Sequence, residues 1–190
     1  MSSKDQSIFT VDYVDNKLML LDQTALPAEE TYIHCENWQR VAQAISDLEV
    51  RGAPAIGVTA AFGLVLAVKA SSAETQEEML DELEQVAKSL IATRPTAVNL
   101  AWAVQEVMTV ARSAKTTEEM RQGMEDIAQR LHAEDLAICK SIGDSGAELL
   151  ADAENVITHC NAGGLATVGY GTALGVIRSA HKNNPHLHVW

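Results

Sequence analysis

Aromatic residues make up only 4% of this 190-residue chain, too few for a sandwich built around large rings. With hydrophobic residues at 47%, a core must be assembled from Ala, Leu, Val and Ile, which favours closely packed helices. Cysteine is also scarce. Cys35, Cys139 and Cys160 are an odd, widely spaced set without a CxxC pair, so a disulfide framework is excluded and free thiols in a reducing cytoplasm are expected. Basic residues are few, 14 against 26 acidic ones, for a formal net charge of −12. That balance disfavours nucleic acid and anionic membrane as partners. It leaves room for an anionic small molecule, because a site can concentrate a few arginines locally. Met1 to Gln6 is polar and no apolar signal-peptide core follows, so no secretory leader is read. The longest uncharged run, Gly52 to Val68, falls short of a membrane span and reads as a buried core helix.

What is present divides into two patterns. Ile8 to Tyr13 alternates, and Lys17 to Leu21 is apolar after Asp15-Asn16, which predicts a hairpin with Thr31 to His34 as a third strand. Helical periodicity follows: Trp38 through Val50, Pro54 to Ala70, Glu77 to Ile91, and a helix opened by Pro95 running to Ala111. Thr117 reads as the N-cap of a long helix reaching Leu150, with a break expected near Gly143 and Gly146. From Asn155 the pattern becomes strand, loop, helix, strand: Asn155 to His159, an apolar helix from Ala166 to His181, and His186 to Trp190. The expected class is α/β overall. A mostly helical domain with a small leading sheet covers 1–150, and the first β-α-β unit of a Rossmann-like parallel domain covers 151–190. Two parallel strands cannot close a core, so that second domain reads as truncated.

Three segments carry chemistry. At Val50-Arg51-Gly52-Ala53-Pro54, Gly52 and Ala53 leave backbone N–H groups at a helix start, where the dipole favours an anion, and Arg51 adds a guanidinium. Thr93-Arg94-Pro95 repeats the arrangement, suggesting two arginines on one phosphate. His159-Cys160-Asn161-Ala162-Gly163-Gly164 sits where a strand ends, the position at which open α/β sheets bind ligands. A helix start lowers a thiol pKa and apolar burial raises it, so the protonation of Cys160 stays open on sequence grounds. Other features carry less. Gly169-Tyr170-Gly171 to Gly175 has the wrong spacing for a dinucleotide fingerprint and falls inside the predicted helix. His186 and His188 lack nearby further ligands, so no metal is expected. Cys35 and Cys139 read as structural.

These three segments, with Leu165 to Gly175 continuing the last, resemble in order and separation the methylthioribose-1-phosphate isomerase family. That family is related to the regulatory alpha, beta and delta subunits of eukaryotic translation initiation factor 2B. The likeness spans nearly the whole chain. It implies an aldose–ketose isomerase of methionine salvage, usually a homodimer, with no cofactor and a sugar phosphate as its small-molecule substrate. It implies phosphate contacts at Arg51, Gly52, Ala53 and Arg94, and Cys160 as the active-site thiol. Gly164 stands where the family commonly has alanine, which is read as a loss of stiffness. The family's proton-donor aspartate lies beyond the stretch that matches residues 1–190, so no catalytic acid is assigned and this stretch alone is expected to be inactive. A regulatory relative that senses a sugar phosphate or nucleotide, and a ribose-1,5-bisphosphate isomerase, are the competing readings.

Overall fold

The computed structural model describes residues 9–190; the polar start at Met1 to Gln6 and the first expected strand residue, Ile8, lie outside them. The chain opens with β1 (Val11–Val14), β2 (Lys17–Leu21) and β3 (Tyr32–Cys35) in an antiparallel sheet of order β1-β2-β3. Asp15 and Asn16 both have positive φ, 52° and 62°, the backbone a tight two-residue hairpin requires. Five helices follow: α1 (Trp38–Ser46), α2 (Ala53–Ala70), α3 (Gln76–Thr93), α4 (Val98–Ser113) and α5 (Thr117–Ala147). Two-residue strands β4 (Asn155–Val156) and β5 (His188–Val189) pair in parallel across α6 (Ala173–Asn183). The architecture is therefore the expected α/β one, helical with a leading sheet and a parallel β-α-β end.

Burial explains the arrangement. Every residue of α2 from Ala55 to Val68 is buried, and the small side chains among them let α1, α3, α4 and α5 pack around it. This helix is long and apolar enough to cross a membrane by composition, yet 78% of it is buried inside the protein, as the core reading expects. Leu18, Leu20 and Cys35 put the sheet's inner face onto the same core. Lys69 fastens the outer corner, donating to the Tyr13 hydroxyl at 3.1 Å, Asn16 Oδ1 at 2.5 Å and Glu125 Oε1 at 2.7 Å.

Several boundaries differ from the sequence reading, each for a local reason. Helix α1 stops at Ser46, because Leu48 turns left-handed at φ 63°; the Glu49 and Leu48 amides then donate back to Ala44 and Ile45, a Schellman closure. Helix α4 begins at Val98 instead of Pro95. Pro95 occupies a turn in which the Ala97 amide donates to the Arg94 carbonyl at 2.9 Å, a proline's favoured place. Thr116, not Thr117, caps α5 by accepting from the Glu119 amide at 3.1 Å. That helix runs unbroken through Gly143 and Gly146, where α6 comes closest: an added Cβ would meet Ser179 Oγ at 2.8 Å and Val176 Cγ2 at 2.6 Å. The glycines there serve close packing, not a break. The expected helix from Ala166 starts only at Ala173, leaving 167–172 as loop.

Candidate functional site

The loop from Cys160 to Thr172 is closed on itself. Gly163 bridges Gly171, and the Ala162 carbonyl accepts from the Thr172 and Leu174 amides at 3.0 and 3.2 Å. The first amides of α6 are thus directed at the loop's own backbone, and Cys160 does not cap a helix. Gly169 and Gly171 fall in this loop, outside the helix expected for them. Gly171, at φ 91°, lies so near Gly163 that a Cβ would stand 2.6 Å from its carbonyl carbon. Gly164 is equally constrained, since an added Cβ would meet the Gly169 carbonyl oxygen at 2.7 Å. Glycine at 164 is therefore a steric fit to this loop and more than a loss of stiffness.

Cys160 is exposed and left-handed, at φ 73°. A non-glycine residue in that region costs about 1–2 kcal/mol, and such strain concentrates at working positions. The other two thiols are buried. Burial pushes Cys35 up to about 11; Cys139 is also raised, by burial and by the nearby Asp135 carboxylate.

Four parts of the protein hold the segment after Cys160. Thr10, ahead of β1, donates its hydroxyl to the Gly164 carbonyl at 2.7 Å and its amide to Val168 at 3.0 Å. Gln23, beyond β2, donates Nε2 to the Leu165 carbonyl at 2.7 Å. On α5, Asp135 accepts from the Val168 amide at 2.7 Å. At the start of α2, Gly52 meets Ala166 so closely that a Cβ on Gly52 would lie 2.3 Å from the Ala166 Cα. Gly52 has φ 100° and ψ 140°, a conformation open essentially to glycine alone.

This last contact joins two of the segments read from the sequence. Arg51 is exposed beside it and Ala53 is the first residue of α2. Arg94 is half-buried at the C-cap of α3. Its turn leads into α4 beside the second turn of α2, where a Cβ on Gly57 would be 3.0 Å from the Asn99 carbonyl oxygen. Helices α2 and α4 therefore start at one end of the bundle. Because α4 starts at Val98 and Pro95 lies in a turn, no helix N-terminus stands directly beside Arg94, and its guanidinium is what remains to meet an anion. A cleft of about 190 Å³ at this end is lined by Pro54, Asn99, Trp102, Asp135 and Ile138. Burial raises the Asp135 carboxyl above its ordinary value, against the Val168 amide and His132, which pull it down. Among the described residues no three His, Cys, Asp or Glu side chains gather as metal ligands.

Thr10, Gln23 and Asp135 escaped the sequence reading, because none lies in a recognisable motif. Each reaches the loop only through the fold.

Residues 49–190 match the Initiation factor 2 subunit family, IF-2B. The chain belongs to that family. Within it, the chain is 48% identical over 186 residues to the methylthioribose-1-phosphate isomerase of Trichlorobacter lovleyi, covering 97% of this chain and 54% of that protein. The isomerase of Geobacter metallireducens is 46% identical over the same shares. Among solved structures, 5-methylthioribose 1-phosphate isomerase from Pyrococcus horikoshii OT3 superposes with a TM-score of 0.89 at 37% identity, covering 97% of this chain and 52% of that one. The translation initiation factor eIF-2B delta subunit from A. fulgidus gives 0.87 at 39% identity, covering 96% and 54%. The chain spans about half the length of the curated relatives it matches.

Proposed function

We propose that these residues form the phosphate-gripping and thiol-bearing part of an aldose–ketose isomerase that converts S-methyl-5-thio-α-D-ribose 1-phosphate to S-methyl-5-thio-D-ribulose 1-phosphate. The observation that carries this reading is the seat of Gly52 against Ala166, because it sets the Arg51 junction beside the Cys160 loop. The names of the relatives at 46–48% identity supply the substrate. In this proposal Arg51, the Gly52 and Ala53 backbone and Arg94 take the phosphate, Arg94 through its guanidinium alone. Cys160 faces the reacting carbons.

The chemistry constrains the site. A phosphate on the anomeric oxygen prevents opening by mutarotation, so an acid must assist departure of the ring oxygen and hydrogen must move from C2 to C1. In the enediol route the Cys160 thiolate takes the C2 proton and a proton is delivered to C1. In the hydride route hydrogen moves with its electron pair, and the thiol only polarises the reacting carbons. Neither route calls for a cofactor. The acid is a carboxylate outside residues 1–190 in a full-length enzyme that acts as a cytoplasmic homodimer in methionine salvage. The close superposition on the eIF-2B delta subunit favours a second reading, a regulatory protein that binds a sugar phosphate without turning it over.

The test is turnover by the intact natural polypeptide that carries these residues, followed by NMR of the ketose product. Conversion is expected, and Cys160→Ser is expected to lower kcat by about 10²–10⁴-fold. Wild-type turnover in the Ser variant would remove the thiol's role. Binding of the sugar phosphate without conversion would favour the regulatory reading.

A further inference from the structure

Gln23 stands two residues beyond β2, outside every motif, and is only 5% exposed. Its backbone N–H donates to the Glu49 carbonyl at 2.9 Å, and its side-chain Nε2 donates to the Leu165 carbonyl at 2.7 Å. The first bond holds the strand of chain that leads to Arg51. The second holds the loop that follows Cys160. Between these two grips, Gly52 and Ala166 are in direct backbone contact. One residue therefore closes a triangle whose other corners are the two candidate site segments.

The remaining amide atom sharpens the point. Gln23 Oε1 is buried with no hydrogen-bond partner among the described residues. An unpaired buried acceptor is unfavourable, and a methionine of similar shape would avoid it. What glutamine gains over methionine here is the Nε2 donor. Thr10 and Asp135 also hold the loop, but neither bonds to 49–52.

We propose that Gln23 is a positioning residue that fixes the Arg51 junction and the Cys160 loop at their working separation. Its catalytic consequence rests on the isomerase reading, whereas the joint itself is testable without turnover.

The experiment is hydrogen–deuterium exchange of the natural polypeptide and its Gln23→Met and Gln23→Glu variants between pH 5 and 8, corrected for intrinsic rates. In Gln23→Met, exchange in 163–168 and in 49–53 is expected to rise together by about tenfold at every pH, with α3 unchanged. Gln23→Glu is expected to match it at pH 8 and to recover toward wild type at pH 5. There the buried carboxyl is protonated, and its O–H donates to the Leu165 carbonyl. Asp22, Arg51 and the Arg40–Glu49 pair are common to both variants, so a flat profile in Gln23→Met assigns any pH dependence of Gln23→Glu to the new carboxyl. Unchanged exchange, or a rise in one segment only, overturns the joint. A loosened joint with kcat unchanged overturns the positioning role; a fall in kcat at constant KM supports it. An intact joint in a protein without turnover would sink the isomerase reading alone.

Discussion

Gly52 and Asp135 both hold the segment that follows Cys160, and they respond differently to substitution. At Gly52 both the conformation and the space exclude a side chain, since φ is 100° and a Cβ would sit 2.3 Å from the Ala166 Cα. Gly52→Ala is expected to cost about 2–4 kcal/mol, read as a drop in the urea midpoint; a change under about 0.5 kcal/mol would show that the two segments are not seated on each other. Asp135 offers a contrast in charge. Its carboxyl is raised by burial, so the folded state holds that proton more tightly than the unfolded chain does. The associated stability is fully present below the ordinary value of 3.8 and is lost as pH rises through the raised one. Asp135→Asn keeps an acceptor for the Val168 amide and loses the buried charge, so it is expected to be neutral or stabilising at pH 7. Its advantage over wild type should vanish as pH falls toward 4. Asp135→Ala strands that amide and is expected to cost about 1–3 kcal/mol. Denaturant titrations of the three proteins at pH 4 and 7 check both signs, with His132, Glu134 and Cys139 as common neighbours.

Elements were legible where side-chain period decides them and obscure where a single backbone bond does. The apolar run that became α2 and the hairpin at Asp15-Asn16 follow directly from pattern. The end of α1 does not, because its C′ position holds Leu48 where a glycine would have announced the stop. Leu48 is 41% exposed and left-handed, so Leu48→Gly removes strain and sacrifices little packing. A gain of about 0.5–1 kcal/mol is expected after glycine's own entropic cost, measured by calorimetry. Thr75 completes a capping box with Glu78, which starts α3 at Gln76, one residue before the expected Glu77. Pro95 misled for the opposite reason, since proline suits the second place of a turn as well as a helix start. At the candidate site, Cys160, Arg51 and Gly52 could be found because motif residues adjoin them in sequence. Their supports could not, because Thr10 and Gln23 are joined to the loop over separations of 154 and 142 residues.

On the scale of the molecule, those same bonds make the leading sheet and the loop after Cys160 one mechanical unit. Thr10 grips the loop by both amide and hydroxyl, and its own carbonyl accepts from the Leu21 amide at 3.0 Å. Segments stitched in this way open together. Native-state exchange under rising urea should therefore bring the amides of β1, β2 and 166–171 onto one isotherm, while α6 residues facing solvent follow their own. Two separate isotherms would mean that the sheet merely rests against the loop.

The stitching also sets a timetable for the newborn chain. A ribosome adding about 5–20 residues per second makes Thr10 roughly 8–30 s before it makes Gly164. Throughout that interval the Thr10 hydroxyl and the Gln23 amide have no loop to hold, and the helices are already emerging between them. Closure of this loop consequently waits for Gly164 and Leu165, although the side chains that lock it were made 154 and 142 residues earlier.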